Sequence, residues 1–354
     1  MALNNKTKEK VALEVIKVLV TRFESFPENT SKNRNAPFHE AFLKAFADRI
    51  EDTVSDTAFL ISLSSWLQGL NTTLGQTFFE NVAHILCNGE KREYTSKKRG
   101  NLSITQTQRD NITKIIADLS TSTTKPHLQA EEQAIFLPNE SEEEIKALDF
   151  SADVFFEDSD SITAIELKSV KPNSGEMRGE KQKILEGKAA LFKQYPNKKV
   201  RFYIGFPFDP TVNPEEEDNT AYNKTRFLSS IINMNKFFAE EETLIAEELW
   251  DFLSGEKNTM KTLLDIINII ATPDFYTKYQ VLTDDTKRNT QEHLNILNEW
   301  YLVSESHITR LYNELRNVDP TMSQPYERIY NQSSFDSNGK YNWKRFNLLE
   351  PILR

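Results

Sequence analysis

The segment from Asp153 to Lys168 constrains this chain more than any other, because it holds two short β-prone runs separated only by polar residues. Val154, Phe155 and Phe156 form the first run and Ile162 to Ile165 the second, while Glu157 to Ser161 supplies a tight reversal. The pattern predicts a β-hairpin. With Asp158 to Ser161 as the loop, Glu157 faces Ile162, and antiparallel counting sets Asp153 directly across from Glu166. Side chains alternate faces along a strand, so Glu166 and Lys168 project to one side while Leu167 turns into the core. Two carboxylates and an amine then meet in one place.

Such a trio suits metal-dependent hydrolysis of a phosphodiester. Carboxylate oxygens are hard ligands for Mg²⁺, and Lys168 is placed to orient or help deprotonate an attacking water and to offset charge on the phosphate. The triplet alone is weak, since an acidic residue two before a Lys recurs at Glu144/Lys146, Glu186/Lys188 and Asp285/Lys287. Only the pair at 166 and 168 lies in a β-branched, apolar run behind an Asp that starts a preceding strand. Spacing leaves one alternative open, a solvated hairpin edge with a cross-strand salt bridge.

Beyond the hairpin come a turn over Lys171 to Gly179, a helical pattern from Glu180 to Tyr195 and a strand from Val200 to Phe208, giving the order β-β-α-β. This order resembles the core of the PD-(D/E)xK nuclease superfamily, with the motif falling on Asp153, Glu166 and Lys168. Ser151 and Ala152 stand where many members carry Pro. The resemblance implies a further carboxylate from the helix before the core. Leu74 to Leu86 matches that helix, with Glu80 among Phe78, Phe79, Val82, Ala83, Ile85 and Leu86. The plainer reading of Glu80 is a helix-surface pair with His84 one turn later.

The run from Glu166 to Leu185, together with the Leu74 to Leu86 helix, resembles the TdeIII-type type II restriction endonucleases, over residues 60 to 270. That resemblance implies a homodimer, Mg²⁺, cleavage of both strands of DNA at a short GC-rich site of the GGNCC kind, and a DNA methyltransferase as functional partner. Under it Asp153, Glu166 and Glu80 hold the metal and Lys168 positions the nucleophilic water. Asp149 is the nearest substitute for Asp153 as a ligand.

Charge patterning adds a nucleic-acid reading. From Lys168 to Arg201 ten basic residues stand against three acidic ones, a local balance of +7 that suits a phosphate track. Arg178 suits guanine O6 and N7, Glu180 suits cytosine N4, and Lys171, Lys181 and Lys183 suit bases or phosphates. Alternatively these charges coat the exposed face of the helix, with Glu180, Lys183 and Lys188 simply solvated. A second basic cluster, Lys91, Arg92, Lys97, Lys98 and Arg99, reads as a backbone grip or a flexible loop. A net charge of −10 and a pI near 5.3 argue against indiscriminate coating of nucleic acid, yet allow an enzyme whose positive surface is confined to one cleft.

Composition narrows the remainder. Cys87 is the one cysteine, which excludes an intramolecular disulfide and a zinc cluster and fits a reducing cytosol. The histidines at 39, 84, 127, 293 and 307 are scattered, so histidine-based metal catalysis has no support. Neither a Walker A loop nor GxGxxG occurs, so cleavage is expected without ATP. No apolar h-region opens the chain and no run approaches the ~18 apolar residues that span a bilayer, so the expected location is cytoplasmic.

The expected fold is α/β, a restriction-endonuclease-like core whose mixed sheet is flanked by helices, with further helical elements at both ends. Segments 1–60, 61–270 and 271–354 divide it into N-terminal helical region, nuclease core with inserted linker and helices, and C-terminal helical region with a docked tail, expected as one continuous globular unit. Helical spacing covers Lys10 to Phe26, Pro37 to Asp52, Ala58 to Leu86, Ile104 to Leu119, Lys224 to Phe238 and Gln291 to Arg316, and Trp343, Phe346, Leu348 and Leu349 are expected to dock. The function expected is a sequence-specific double-stranded DNA endonuclease. The alternatives are a repair or recombination nuclease that reads DNA structure, and a DNA-binding protein without catalysis.

Overall fold

The expected hairpin forms the centre of a five-stranded sheet. A computed structural model describes residues 3–27, 57–137, 143–168, 176–213, 215–318 and 320–353; the helix expected at Pro37 to Asp52, and Lys171, lie outside the described residues. The strands are β1 (Glu90–Tyr94), β2 (Ser103–Thr105), β3 (Glu144–Lys146), β4 (Phe150–Glu157), β5 (Ser161–Leu167), β6 (Lys199–Phe206) and β7 (Thr243–Ile245). The large sheet runs β1-β4-β5-β6-β7, and β2 and β3 pair separately. Its first two junctions are antiparallel and its last two parallel.

The hairpin register is the one counted from sequence: Glu157 pairs with Ile162 and Val154 with Ile165. Asp158 closes the turn, its N–H donating to the Ser161 carbonyl at 3.0 Å and its Oδ1 accepting from the Ser161 N–H at 2.6 Å. Ser161 to Ile165 is buried without alternation. That pattern belongs to a central strand covered on both faces.

Parallel strands need a crossover, and the helix Glu176–Gln194 provides it between β5 and β6. Gly187 lets this helix lie close on the sheet. A Cβ there would stand 2.8 Å from Phe202 Cε1 and 3.1 Å from Phe150 Cδ2, closer than side-chain carbons pack.

The chain divides into two compact units: Phe79–Thr262, which carries the large sheet, and Asn4–Phe78 with Leu263–Arg354. The second unit is organised by buried polar contacts as well as apolar ones. Glu305 receives Arg345 Nη1 at 2.7 Å, the Tyr341 hydroxyl at 2.8 Å and the Ser334 hydroxyl at 2.9 Å. Trp300 stacks on Phe275 with ring centroids 5.4 Å apart.

Several helices are shorter than their apolar spacing predicts. The expected Gln291 to Arg316 helix is two, Gln291–Glu299 and Val303–Val318, broken where Tyr301 takes φ 59°. The break sends Trp300 into the core. Lys224 to Phe238 likewise divides into Lys224–Ser230 and Met234–Phe237, with Asn233 left-handed before the second. A π-helical turn, Leu74–Phe78, separates Thr57–Thr73 from Phe79–Cys87. Ile104 is a strand residue; the helix expected to begin there starts at Gln106, behind a capping box between Thr105 and Gln108. In the tail Leu349 is buried and Phe346 packs against Ile308, Tyr312 and Tyr330, whereas Trp343 and Leu348 are exposed.

Candidate active site

Asp153 lies on β4, Glu166 and Lys168 at the end of β5, and Glu80 on the helix Phe79–Cys87. Val154 pairs with Ile165, and Asp153 and Glu166 are the next residues along these two adjacent strands, which sets their carboxylates near one another. Asp153 is also fixed by its backbone and its far oxygen. Its Oδ2 accepts the Leu167 N–H at 3.0 Å, and its carbonyl lies 2.7 Å from His84 Nε2, which therefore donates. His84 thus bonds the backbone of Asp153, while its charge also acts on Glu80.

Lys168 Nζ lies 3.2 Å from Glu166 Oε1 and 3.3 Å from Glu180 Oε1. Glu180 Oε1 is in turn 3.1 Å from Lys183 Nζ. On the other side Lys91 Nζ bridges two carboxylates, at 2.9 Å from Asp153 Oδ1 and 3.1 Å from Glu80 Oε1. Four acidic and three basic side chains form one continuous cluster.

Electrostatics follow from that crowding. Burial, then the charge of Asp153, push Glu166 up to about 7, against the opposing pull of Lys168. Burial and Asp153 also raise Glu80 above the usual carboxylate range. Burial alone would lower Lys168, but Glu166 and Glu180 outweigh it and hold the amine above its ordinary value. The charged ammonium form of Lys168 is thereby favoured.

The donor set fits a hard divalent cation. Mg²⁺ is commonly held by one or two carboxylates together with phosphate oxygens, which the opposed Asp153 and Glu166, or Asp153 and Glu80, supply. Among the described residues no three His, Cys, Asp or Glu side chains converge as a preformed metal cage. Asp149, the substitute ligand, is exposed and bonded to the Asn101 side chain.

The expected DNA-contacting residues separate into different environments. Arg178 is exposed and Lys183 half-buried. Lys181 is not available to DNA: it is fully buried, 2.5 Å from Glu131 Oε2 and 2.7 Å from Glu242 Oε2. Glu180, expected to read a base, instead has its carboxylate engaged by Lys168 and Lys183. Lys188 is no solvated surface residue either, being buried against Glu132 at 3.2 Å. In the second basic cluster Arg92 binds Glu90 at 2.6 Å and Tyr195 at 3.1 Å, and Arg99 binds Glu90 at 3.0 Å.

Lys91 and His84 are the site residues that sequence reasoning missed. Strand β1 brings Lys91 in from far along the chain, and no local spacing signals that. His84 had a signal, its place one turn from Glu80, but the target was a carbonyl that only the fold supplies.

A five-stranded mixed sheet flanked by helices, with a carboxylate and lysine hairpin at its centre, is consistent with a restriction-endonuclease-like fold. The comparisons specify the class. A family model described as "Type II restriction endonuclease, HinfI" matches residues 3–271. The type II restriction enzyme MjaII of Methanocaldococcus jannaschii is 44% identical over 364 aligned residues, covering 98% of this chain and 96% of that protein. The chain belongs to the HinfI family of type II restriction endonucleases and is a site-specific deoxyribonuclease. Enzymes of this class act on double-stranded DNA and generally use divalent metal ions. No described helix is long and apolar enough to cross a membrane.

Proposed function

We propose that Asp153, Glu166 and Lys168 form a PD-(D/E)xK centre, with Glu80 as an accessory carboxylate, that hydrolyses DNA phosphodiesters with Mg²⁺. The observation that carries this is the placement of Asp153 and Glu166 next to the paired Val154 and Ile165 of the β4–β5 hairpin, with Asp153 Oδ2 bonded to the Leu167 N–H and Lys168 Nζ 3.2 Å from Glu166. A divalent cation bound by these carboxylates would supply Lewis acidity and charge neutralisation at the scissile phosphate. The protein's own groups do the rest. Lys168, held as an ammonium by Glu166 and Glu180, orients the attacking water and offsets developing negative charge. Asp153 is kept in place by the Leu167 N–H and His84, so its oxygens stay aimed at the site. Glu180 positions Lys168, and Arg178, Lys183 and Lys171 remain candidates for the groove and the phosphates.

The TdeIII-like character of residues 166–185 belongs to this reading, and with it a short GC-rich target of the GGNCC kind. Symmetric cleavage of such a site is met most simply by a homodimer placing one hairpin at each strand. A DNA methyltransferase protecting the same sequence would complete the system, and the cytoplasm is where both would act.

Incubating the full chain with plasmid DNA and Mg²⁺ beside Asp153→Ala tests the reading. Discrete fragments from the native protein, and intact plasmid with retained DNA binding from the variant, are expected. A smear would move the function to a structure-reading nuclease, intact plasmid with both proteins to a DNA-binding module, and equal cleavage by Asp153→Ala would remove Asp153 from the centre.

A further inference from the structure

Lys91 occupies a position that needs explanation. Its Nζ is 2.9 Å from Asp153 Oδ1 and within 3.1 and 3.2 Å of both Glu80 oxygens, the point equidistant from two carboxylates assigned above to the metal. The backbone is shaped to deliver it there. Glu90 pairs with Phe155 and Arg92 with Ala152, so Lys91 alone faces Asp153 and Val154 across a bulge. A bulge of this kind re-aims side chains beside active sites, and here it turns Asp153 and Lys91 toward each other. Accessibility is asymmetric. The side chains of Asp153 and Glu80 are 13% and 15% exposed while that of Lys91 is 39% exposed, so the ammonium enters from the solvent side on a long flexible stem.

We propose that Lys91 is a tethered counter-ion of the Glu80 and Asp153 carboxylates that competes with the divalent cation for them, so that metal binding requires Lys91 to swing out. Like-charged carboxylates repel, and a cation between them holds them together. A lysine does so weakly, because it is monovalent and half exposed; a divalent ion does so better, because it draws hard oxygen donors into its own coordination sphere. One position accepts one of the two. Lys91 therefore raises the metal concentration that the site requires, and acts as a positioning residue for the carboxylates rather than as a catalytic one. The inference rests on the reading of Glu80 and Asp153 as metal ligands.

Mn²⁺ binding to the full chain, followed by titration calorimetry or by the spin resonance of the free ion, provides a test that does not involve cleavage. Lys91→Met is expected to bind Mn²⁺ about three- to tenfold more tightly than the native protein, and Lys91→Arg to bind as weakly as the native. A second measurement needs no variant: acetylation of Lys91 in the native protein, read by mass spectrometry, is expected to accelerate when Mn²⁺ is added. If Asp153→Ala abolishes Mn²⁺ binding while Lys91→Met leaves it unchanged or weaker, and Lys91 acetylation ignores the metal, the counter-ion role is overturned and the metal centre stands. If neither the native protein nor Lys91→Met binds Mn²⁺, the metal centre itself is wrong and the counter-ion role falls with it.

Discussion

The helix Glu176–Gln194 feeds charge into two clusters, and the contrast between them separates structure from function. Toward one side it sends Lys181 and Lys188, which meet Glu131, Glu132 and Glu242 at side-chain exposures of 0% and 1% for the two lysines. Toward the hairpin it sends Glu180 and Lys183, joining Glu166, Lys168, Asp153, Glu80 and Lys91. Both clusters contain one more carboxylate than amines. They differ in access to solvent: in the second, Lys91, Lys183 and Lys168 are 39%, 38% and 21% exposed. Two lysines buried this completely serve as partners of the carboxylates around them. Ions at a solvent edge can be exchanged for a ligand, and a phosphate with its cation is the ligand that suits carboxylates and amines at once.

Two substitutions should pull the clusters apart. Lys168→Ala removes the ammonium from the exposed cluster and is expected to lower cleavage by about 10²- to 10⁴-fold, with thermal unfolding close to native. Lys181→Ala leaves Glu131 and Glu242 buried without their shared cation and is expected to cost about 3–5 kcal/mol of stability in denaturant titrations. Cleavage per folded molecule should survive it. A Lys181→Ala protein that is stable but inactive would erase the distinction drawn here.

Glu166 sharpens the comparison through pH. Its folded value is raised to about 7 against an ordinary 4.5, so the folded protein holds a proton there that the unfolded chain releases. Stability from this group is therefore present below about 4.5 and lost as pH rises toward 7; above that a constant penalty remains. Glu166→Gln removes the penalty. In a chelating buffer the variant should gain on the order of 1–3 kcal/mol at pH 8 relative to native, with the gain vanishing near pH 4.5. Added Mg²⁺ should stabilise the native protein at pH 8 and close the gap. A gain independent of pH would mean that Glu166 carries no such proton.

How much of this was legible depended on sequence distance. The hairpin is local: a turn of polar residues between two β-prone runs fixes the register, and the register brings Asp153 and Glu166 to adjacent places on neighbouring strands. The Lys91 bridge is not local, because it depends on β1 pairing with β4 across a bulge that leaves no trace in composition. Lys181 occupies a middle ground. Met177, Lys181, Ile184, Lys188 and Leu191 recur at helical spacing and all are buried, so the apolar members of that stripe mark the face on which both lysines lie. Counting basic residues along the chain hid what counting them around the helix reveals. The breaks at Tyr301 and Asn233 escaped for another reason, since a left-handed residue other than Gly interrupts no apolar periodicity.

The smallest expected effect concerns the outer face of the same helix. Arg178 follows buried Met177 by one position, is exposed, and lies two residues before Glu180, whose carboxylate holds Lys168. A guanidinium so placed shares its helix with the carboxylate that holds Lys168, the residue proposed to orient the attacking water, so contact with a base and assembly of the centre would share one rigid element. Bidentate recognition of guanine contributes about 1–3 kcal/mol, whereas a contact to phosphate alone weakens all sequences alike. Arg178→Ala should therefore reduce affinity for a cleavable duplex by about 10- to 100-fold when measured with Ca²⁺ in place of Mg²⁺, and reduce binding to an unrelated duplex much less. Equal losses on both duplexes would reassign Arg178 to the phosphate track, and base reading would then have to come from elements outside this helix.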